Sequence, residues 1–202
     1  MFSYTAWVVS WPYFLAALGF GYLLGSIPFG YVFARLAGLG DIRSIGSGNI
    51  GATNVLRTGR KLLAAATLVA DAGKGIVAVL VASAWGADTA ALAGLGAFLG
   101  HLFPIWLGFR GGKGVATFVG VVGAIAWQVG AVFAAVWLAV AAITRYSSLA
   151  ALIGAAITPL AAIAFDRWLA AGLFTLLALL IVLKHLGNVA RLVRGEESRI
   201  KL

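Results

Sequence analysis

Long apolar runs are the feature that most constrains this chain. Of its 202 residues, 62% are hydrophobic and only 10% are charged. A soluble domain averages about 25% charged residues, whereas a transmembrane helix needs about 20 consecutive apolar residues. The composition excludes an ordinary soluble fold, and it also excludes disorder, which requires low hydrophobicity and high charge. We predict an all-α, polytopic integral membrane protein in which residues 1–202 form a single domain.

The apolar runs predict seven transmembrane helices. Six runs are separated by polar segments, and they cover about residues 11–36, 62–85, 89–107, 115–144, 149–165 and 168–183. The 30 residues of the run 115–144 are too many for one upright helix. Trp127-Gln128 near its middle predicts a tight turn between two short spans, and one tilted helix would instead give six spans. Glycine pairs four residues apart, Gly21/Gly25 and Gly96/Gly100, predict close helix packing.

The positions of the basic residues favour seven spans. The net charge is +9, and Lys and Arg concentrate on the cytoplasmic side of membrane proteins. With seven spans, one side of the membrane carries Arg35, Arg43, Arg57, Arg60, Lys61, Arg110, Lys113, Arg145, Lys184, Arg191, Arg194, Arg199 and Lys201. The opposite side then has Arg167 alone, and Lys74 lies inside a span. This distribution predicts that the N-terminus is outside and the C-terminus is in the cytoplasm.

The first polar segment of interest is 46–57, Gly-Ser-Gly-Asn-Ile-Gly-Ala-Thr-Asn-Val-Leu-Arg, between two predicted spans. Its glycines let backbone N–H groups approach an anion closely. Its serine, threonine and asparagine side chains can hydrogen-bond, and Arg57 can bind a phosphate through two N–H groups. The segment predicts an anion site, and the alternative is a loop whose glycines only make turns.

The second polar segment, 108–117, reads Gly-Phe-Arg-Gly-Gly-Lys-Gly-Val-Ala-Thr and opens a predicted helix. A helix N-terminus with glycines and a lysine suits a phosphate. The segment is not a Walker A loop, since Gly114 rather than Ser or Thr follows Lys113. In the preceding sequence, Asp71 and Lys74 lie three residues apart on one helical face. We expect them to pair, either as a structural ion pair or in support of the site.

The third polar segment follows the last span. His185, Asn188 and Arg191 recur every three residues, so they share one face if the segment is helical. A basic tail next to a membrane is often an anchor for anionic lipid headgroups, which explains the arginines but not the histidine and asparagine. The other histidine, His101, ends the third span and is expected to make a hydrogen bond between helices.

Missing residue types narrow the chemistry. The chain has no cysteine and only six acidic residues, which excludes thiolate sites and disfavours a carboxylate-rich Mg²⁺ site. It has no GxSxG motif of a serine hydrolase, and neither histidine starts the HxxxxD motif of one large acyltransferase class. We expect no metal, no cofactor and no nucleic-acid partner.

Three long segments together resemble the bacterial acyl-phosphate:glycerol-3-phosphate acyltransferase family. They are GSGNIGATNVLR at 46–57, GHLFPIWLGFRGGKGVAT at 100–117 and KHLGNVARLVRGEE at 184–197. GSIPFGY at 25–31 and DAGKG at 71–75 also fit, so the resemblance covers most of the chain. It implies seven spans in the bacterial inner membrane, with an active site that faces the cytoplasm. It also implies transfer of a fatty acyl group from acyl phosphate to the 1-hydroxyl of glycerol 3-phosphate, which gives lysophosphatidate and inorganic phosphate.

The resemblance also implies roles for individual residues at the matching positions. Ser47 and His185 would orient the attacking hydroxyl, Arg57 and Lys113 would hold phosphates, and Asn188 would hydrogen-bond a phosphate or the glycerol. The implied catalytic residues are Ser47, Lys113 and His185. The implied phosphate-binding residues are Gly48, Asn49, Gly51, Thr53, Asn54, Arg57, Gly111, Gly112, Lys113, Gly114 and Asn188. Supporting residues are Asp71, Lys74, Ser147, Ser148 and Arg191.

The identity of the proton acceptor is a separate question. An acyl phosphate has a good leaving group, so positioning and charge stabilisation suffice without a strong protein nucleophile. His185 is the only nearby side chain with a suitable ordinary pKa. The polar segments 46–57, 108–117 and 184–191 contain no carboxylate, and our hypothesis is therefore that a phosphate oxygen of the donor takes the proton.

The expected partners are glycerol 3-phosphate, acyl phosphate, the lipid bilayer and, through functional coupling, the enzyme that makes acyl phosphate. One alternative from another class is a transporter or channel for a phosphorylated metabolite. It has the same anion-binding loops in its favour, but all three polar segments lie on one side of the membrane. A second alternative is an acyltransferase that uses acyl-CoA or an acylated carrier protein as donor.

Overall fold

The structure is a computed structural model that describes residues 4–200, with side chains from residue 10 onward. The described residues contain α-helices, short 3-10 turns and no strand. The helices are α1 (Tyr4–Gly25), α2 (Phe29–Leu36), α3 (Ala52–Leu56), α4 (Lys61–Ala82), α5 (Ala87–Leu102), α6 (Val115–Ile125), α7 (Trp127–Thr144), α8 (Ser147–Ala164), α9 (Trp168–Lys184) and α10 (Leu186–Val193). The 3-10 turns are Ile42–Ser44, Ser83–Trp85 and Ile105–Leu107.

The helices confirm the all-α membrane class. Within the described residues, five segments are long and apolar enough to cross a bilayer, and a sixth follows if α9 and α10, bent by 58°, count as one span. Large apolar side chains point away from the protein: Leu62, Ile143 and Leu169 are 88%, 82% and 94% exposed. Lipid covers such side chains in a membrane protein. The described chain yields fewer full-length spans than the seven predicted, because α6 has 11 residues and α9 has 17.

Two of the apolar runs are each divided into two helices. The run 115–144 divides as predicted, because α6 ends at Ile125 and α7 begins at Trp127, with Ala126 extended between them. The run 11–36 remains one candidate span, Ser10–Leu36, as predicted, but it is not one continuous helix. It divides into α1 and α2 at Pro28, whose ring nitrogen has no N–H to continue a helix. Residues 1–3, which carry the predicted outside N-terminus, lie beyond the described residues.

Helices α1 and α5 pack closely along the predicted glycine pairs. A Cβ atom at Gly21 or Gly25 would overlap the backbone of α5 at Ala93 and Ala97, respectively. In the same way, Gly96 on α5 faces the backbone of α1. Only a residue without a side chain permits this approach, so the small-residue pairs have the packing role that the sequence predicts.

An aromatic core holds α6 against its neighbours. The rings of Phe98 and Phe118 lie 6.4 Å apart, and those of Phe118 and Phe133 lie 5.3 Å apart, both edge to face. All three side chains are buried. On the other side of α6, a Cβ at Gly75 would lie 2.7 Å from the carbonyl oxygen of Thr117, so α4 and α6 are in backbone contact. These contacts fix the N-terminal end of α6, where the second polar segment begins.

Candidate active site

The first polar segment is shaped by Asn54, which lies on α3 and is buried. Its Nδ2 donates to the carbonyl oxygens of Ile42, Ile45 and Asn49 at 3.0, 2.9 and 2.8 Å. Its Oδ1 accepts from the Ser47 backbone N–H at 3.0 Å and from Ser47 Oγ at 3.3 Å. Asn54 was predicted to bind phosphate, and its amide instead makes these bonds within the chain. It therefore acts on the loop's shape.

Glycines allow this loop to turn beside Arg57. Gly46 and Gly48 have φ angles of +56° and +69°, which favour glycine. A Cβ at Gly46 would approach the Cδ atom of Arg57 within 3.1 Å. Gly51 precedes the first turn of α3, whose backbone N–H groups at Asn54 and Val55 bond to its carbonyl. The loop thus leaves Ser47 exposed next to the exposed guanidinium of Arg57.

The second polar segment is a glycine loop bonded to the end of α5. The Gly112 N–H donates to the His101 carbonyl at 3.0 Å, and the Gly111 N–H donates to the Leu102 carbonyl at 3.3 Å. Gly114 caps α6 with a φ of +85°, and a Cβ there would overlap the ring of Phe98. The loop therefore presents Lys113 at the N-terminus of α6, where the helix dipole attracts anions.

Lys113 joins the second segment to the third. Its Nζ donates to Oδ1 of Asn188 on α10. Burial lowers the pKa of Lys113 from 10.5 to about 8. The charge of Glu197 acts in the opposite direction, and the charges of Arg191 and Arg57 lower this pKa further.

His185 occupies the bend between α9 and α10 and is buried. Its Nδ1 lies 2.8 Å from the carbonyl oxygen of Ile181. A carbonyl only accepts, so Nδ1 carries the proton and Nε2 is left with a lone pair. Burial lowers the pKa of His185 to about 4, with the Ile181 carbonyl opposing the shift and the charge of Lys113 adding to it. The imidazole is neutral near pH 7.

Glu197 is the candidate site residue that sequence reasoning missed. Its Oε1 accepts from Asn188 Nδ2 at 2.6 Å and from Ser148 Oγ at 2.8 Å, while Oε2 accepts from Arg191 Nε at 2.8 Å. The residue is 8% exposed. Burial raises the pKa of this carboxyl, but the three hydrogen bonds outweigh it, and the pKa lies below its ordinary 4.5. The available signal was an acidic pair, Glu196-Glu197, in an otherwise basic tail.

The tail that carries Glu197 folds back across the site. Ser198 Oγ accepts from Nη2 of Arg57, and the Ile200 N–H donates to the Arg145 carbonyl at 2.7 Å. Nearby, the hydroxyls of Thr53 and Ser147 are 3.3 Å apart, which links the first segment to the start of α8. The tail and the α7–α8 turn thus bring the three polar segments together.

The structure separates the predicted residues into two groups. One group is connected to Lys113 and includes the two glycine-containing loops and Glu197, which was not predicted. Its other members are Thr53, Arg57, Ser147, Ser148, His185, Asn188 and Arg191. The other lies in the membrane interior, where Lys74 Nζ is 2.9 Å from Asp71 Oδ1. This confirms the predicted pairing within α4. His101 Nδ1 on α5 lies 3.5 Å from Asp71 Oδ1 across the helix interface. The residue thus makes a polar contact between helices, without the hydrogen bond that was expected there.

The chain has close relatives among characterised families. A model of the family "Glycerol-3-phosphate acyltransferase" matches residues 15–195. The glycerol-3-phosphate acyltransferase of Brucella anthropi is 60% identical over 186 residues, which cover 92% of each chain. That of Sinorhizobium fredii is 57% identical over 195 residues, 96% of each chain.

Two solved structures have the same fold. The crystal structure of PlsY, an integral membrane glycerol 3-phosphate acyltransferase, in its glycerol 3-phosphate form has a TM-score of 0.89 and 37% identity, covering 93% of this chain and 96% of that one. The lysophosphatidic acid form of PlsY has a TM-score of 0.87 and 36% identity, covering 93% of this chain and 95% of that one. The family match over residues 15–195 includes the first two polar segments and the third as far as residue 195.

Proposed function

Since the chain belongs to the glycerol-3-phosphate acyltransferase family, we propose that it uses acyl phosphate as the donor and acylates the 1-hydroxyl of glycerol 3-phosphate. The acyltransferase activity itself and its setting in a membrane follow from the family and from the match to PlsY. In the proposed reaction, the 1-hydroxyl oxygen attacks the acyl carbonyl carbon. The bond from that carbon to the phosphate oxygen breaks, and the products are lysophosphatidate and inorganic phosphate.

The observation that carries the proposal is the concentration of positive charge around Lys113. The charges of Arg57 and Arg191 reach its ammonium group, and the N-terminus of α6 adds the positive end of a helix dipole. One carboxylate, Glu197, is bound among them. A site that holds two phosphate groups during transfer needs this excess of positive charge.

The proposed contacts divide the two substrates among the loops. Arg57 and Lys113 bind phosphates, with Asn188 as a hydrogen-bond partner. The backbone N–H groups of Asn49, Gly51 and Gly114 complete the phosphate contacts. Those of Gly48, Gly111 and Gly112, which were also expected to bind phosphate, instead donate to the carbonyls of Ile45, Leu102 and His101. Thr53 and Ser147 line the same side, and Asn54 contributes by holding the first loop in shape.

Ser47 and His185 orient the attacking hydroxyl. The lone pair on His185 Nε2 accepts a hydrogen bond from the glycerol hydroxyl, because Nδ1 is committed to Ile181. With a pKa of about 4, this imidazole is a weak base for a reaction near pH 7. We therefore propose that an oxygen of the departing phosphate takes the hydroxyl proton, so that the donor assists its own cleavage.

The seven-span topology is also part of the proposal. Crossings by α1, α4, α5, α6, α7, α8 and α9 place the two termini on opposite sides, and the basic residues favour a cytoplasmic C-terminus and active site. The membrane is then the bacterial cytoplasmic membrane.

Cysteine labelling tests this topology. The chain has no native cysteine, so a thiol reagent can label only the single cysteine that is introduced. A membrane-impermeant thiol reagent applied to spheroplasts is expected to label Asp88→Cys and to spare Arg60→Cys, both exposed positions; the reverse pattern would overturn the topology.

We propose that the site lies below the membrane surface, because α6 is short. Eleven residues at 1.5 Å each make a helix about 16 Å long, roughly half of the hydrocarbon thickness of about 30 Å. The C-terminal end of α6 lines one cavity together with Arg167. Arg167 is the only basic residue that the topology assigns to the outer side of the membrane. The glycine loop then lies at the depth of the inner-leaflet acyl chains. An acyl phosphate whose acyl chain lies in the bilayer can then reach Lys113 without leaving the membrane. Such a route is compatible with a functional coupling to the enzyme that makes acyl phosphate.

The test of this function compares three palmitoyl donors. Purified protein in lipid receives glycerol 3-phosphate with palmitoyl phosphate, palmitoyl-CoA or palmitoyl-carrier protein, and lysophosphatidate and inorganic phosphate are measured together. We expect equal amounts of the two products from palmitoyl phosphate, and no lipid product from the other donors. Product from palmitoyl-CoA or the carrier protein, with none from palmitoyl phosphate, would overturn the proposed donor.

A further inference from the structure

A buried polar cluster lies beneath the glycine loop, and the reaction described above does not use it. It consists of Asp71 and Lys74 on α4 and His101 on α5, each at most 3% exposed. Lys74 Nζ lies 2.9 Å from Asp71 Oδ1 and donates to the Ile27 carbonyl at 2.9 Å. His101 Nδ1 lies 3.5 Å from the same carboxylate oxygen. Charged groups inside a membrane protein are costly and mark functional positions more often than not.

The imidazole of His101 lies between this cluster and the glycine loop. Its Nδ1 edge faces Asp71, and its Nε2 edge faces Gly112. A Cβ atom added at Gly112 would overlap His101 Nε2, and its next nearest atoms would be two carbons of the same ring, both at 2.9 Å. The ring is thus the wall against which the loop rests.

His101 also holds Gly112 through the backbone. Its carbonyl accepts the Gly112 N–H at 3.0 Å, so both its side chain and its main chain fix one residue of the loop. Gly112 directly precedes Lys113, whose Nζ reaches Asn188 across the site. A shift of Gly112 therefore moves the base of the side chain that binds phosphate. Displacements of about 1 Å in positioned groups lower catalytic rates substantially.

We propose that His101 is a positioning residue for acyl transfer: its imidazole, oriented by the Asp71–Lys74 pair, fixes Gly112 and thereby sets the position of the Lys113 ammonium group at the bound phosphate. This rests on the proposed role of Lys113. Asp71 holds the ring edge that faces away from the loop, and Lys74 neutralises the carboxylate that would otherwise be buried as a lone charge. The two residues act on the reaction only through the ring.

A double-mutant cycle between positions 101 and 112 tests the proposal. We expect Gly112→Ala in the wild-type background to raise the KM for a phosphate-bearing substrate about tenfold or more, because the added methyl group displaces the loop from the ring. His101→Ala removes the ring and makes room for that methyl group. In the His101→Ala background, Gly112→Ala is expected to change the KM by less than about threefold.

Gly111→Ala is the matched control. A Cβ at Gly111 would overlap the His101 carbonyl oxygen and Pro104 Cδ, neither of which is removed by His101→Ala. Its effect on the KM is expected to be the same in both backgrounds. Gly73→Ala, on α4 with no atom within 4 Å of the added Cβ, is expected to leave activity unchanged.

The split between KM and kcat separates positioning from a structural role. Loss of folded enzyme lowers the apparent kcat in proportion and leaves the KM unchanged. Equal KM effects of Gly112→Ala in the two backgrounds, or coupling seen only in kcat and in the melting temperature, would overturn the proposal. The donor comparison on the wild-type enzyme tests the proposed function by itself, so either conclusion can fail while the other stands.

Discussion

Raising the pH is expected to weaken substrate binding through Lys113. Burial lowers the pKa of this group from 10.5 to about 8, so the ammonium loses its proton as the pH rises through about 8. The second pKa of a phosphate monoester is about 6, so the phosphate of glycerol 3-phosphate keeps its charge over this range. The KM for glycerol 3-phosphate is therefore predicted to rise above pH 8, and the change is attributable to the enzyme.

The size of the effect follows from the contact that is lost. A hydrogen bond to a charged group contributes about 1.5–3 kcal/mol, which corresponds to about 10- to 150-fold in affinity. With a pKa of about 8, about 1% of free enzyme molecules carry the ammonium two pH units higher. The KM is then expected to rise roughly tenfold per unit above pH 8, and to level off once the full contribution of the contact is gone.

The assay is the initial rate against glycerol 3-phosphate concentration, at saturating acyl phosphate, between pH 6.5 and 10. In Lys113→Arg the guanidinium stays charged throughout, so the KM is expected to be nearly independent of pH. Lys113→Met is expected to show a high KM at every pH. Lys61→Met, which removes an exposed basic residue at the start of α4, is the matched control with a wild-type profile. A wild-type KM that stays flat to pH 10, or an alkaline rise retained in Lys113→Arg, would refute the assignment.

The remaining predictions concern the third polar segment and its tail. His185→Ala is expected to keep substantial turnover at saturating substrate, since the donor phosphate takes the proton; a rate loss of about 10⁴ with binding intact would instead identify the imidazole as the base. Glu197→Gln is expected to lower kcat/KM and to reduce the free energy of unfolding by about 2 kcal/mol, because a charge-assisted set of hydrogen bonds is lost. Glu196→Gln, an exposed neighbour, serves as its control, and equal melting temperatures for the two variants would contradict the role of Glu197. The pKa of Glu197 in the folded protein lies below its ordinary 4.5. The stabilisation by its carboxylate is therefore complete above pH 4.5 and is lost as the pH falls through the lower folded pKa. In thermal melts from pH 6 to pH 3.5, the difference in melting temperature between wild type and Glu197→Gln should become smaller.

Much of the fold could be predicted because the bilayer imposes strong rules on sequence. Apolar runs locate the membrane-crossing helices, and the excess length of residues 115–144 predicts the break that the structure has at Ala126. The break at Pro28 interrupts a run that is apolar on both sides, and the proline itself is the sequence signal for it. There, the missing N–H of proline ends α1, and the amphipathic α2 follows as a separate helix.

The candidate site was predictable at the level of segments and less so at the level of side chains. Glycines, Lys113 and Arg57 are recognisable because their chemistry suits an anion in any backbone arrangement. The local bonding of Asn54 and the role of Glu197 depend on how loops fold. Glu197 acquires its partners only when the tail returns to meet Ser148 on α8. Periodicity within one segment carries no information about such a contact.

The most direct test of the central claim is a crystal structure of this protein with glycerol 3-phosphate and a non-hydrolysable acyl phosphonate bound together. We expect a phosphate or phosphonate oxygen within hydrogen-bonding distance of Lys113 Nζ and another beside the Arg57 guanidinium. We also expect the glycerol 1-hydroxyl next to His185 Nε2, and an acyl chain that leaves the site at the depth of the glycine loop. Phosphate groups bound away from Lys113 and Arg57, with that cluster empty, would contradict that claim.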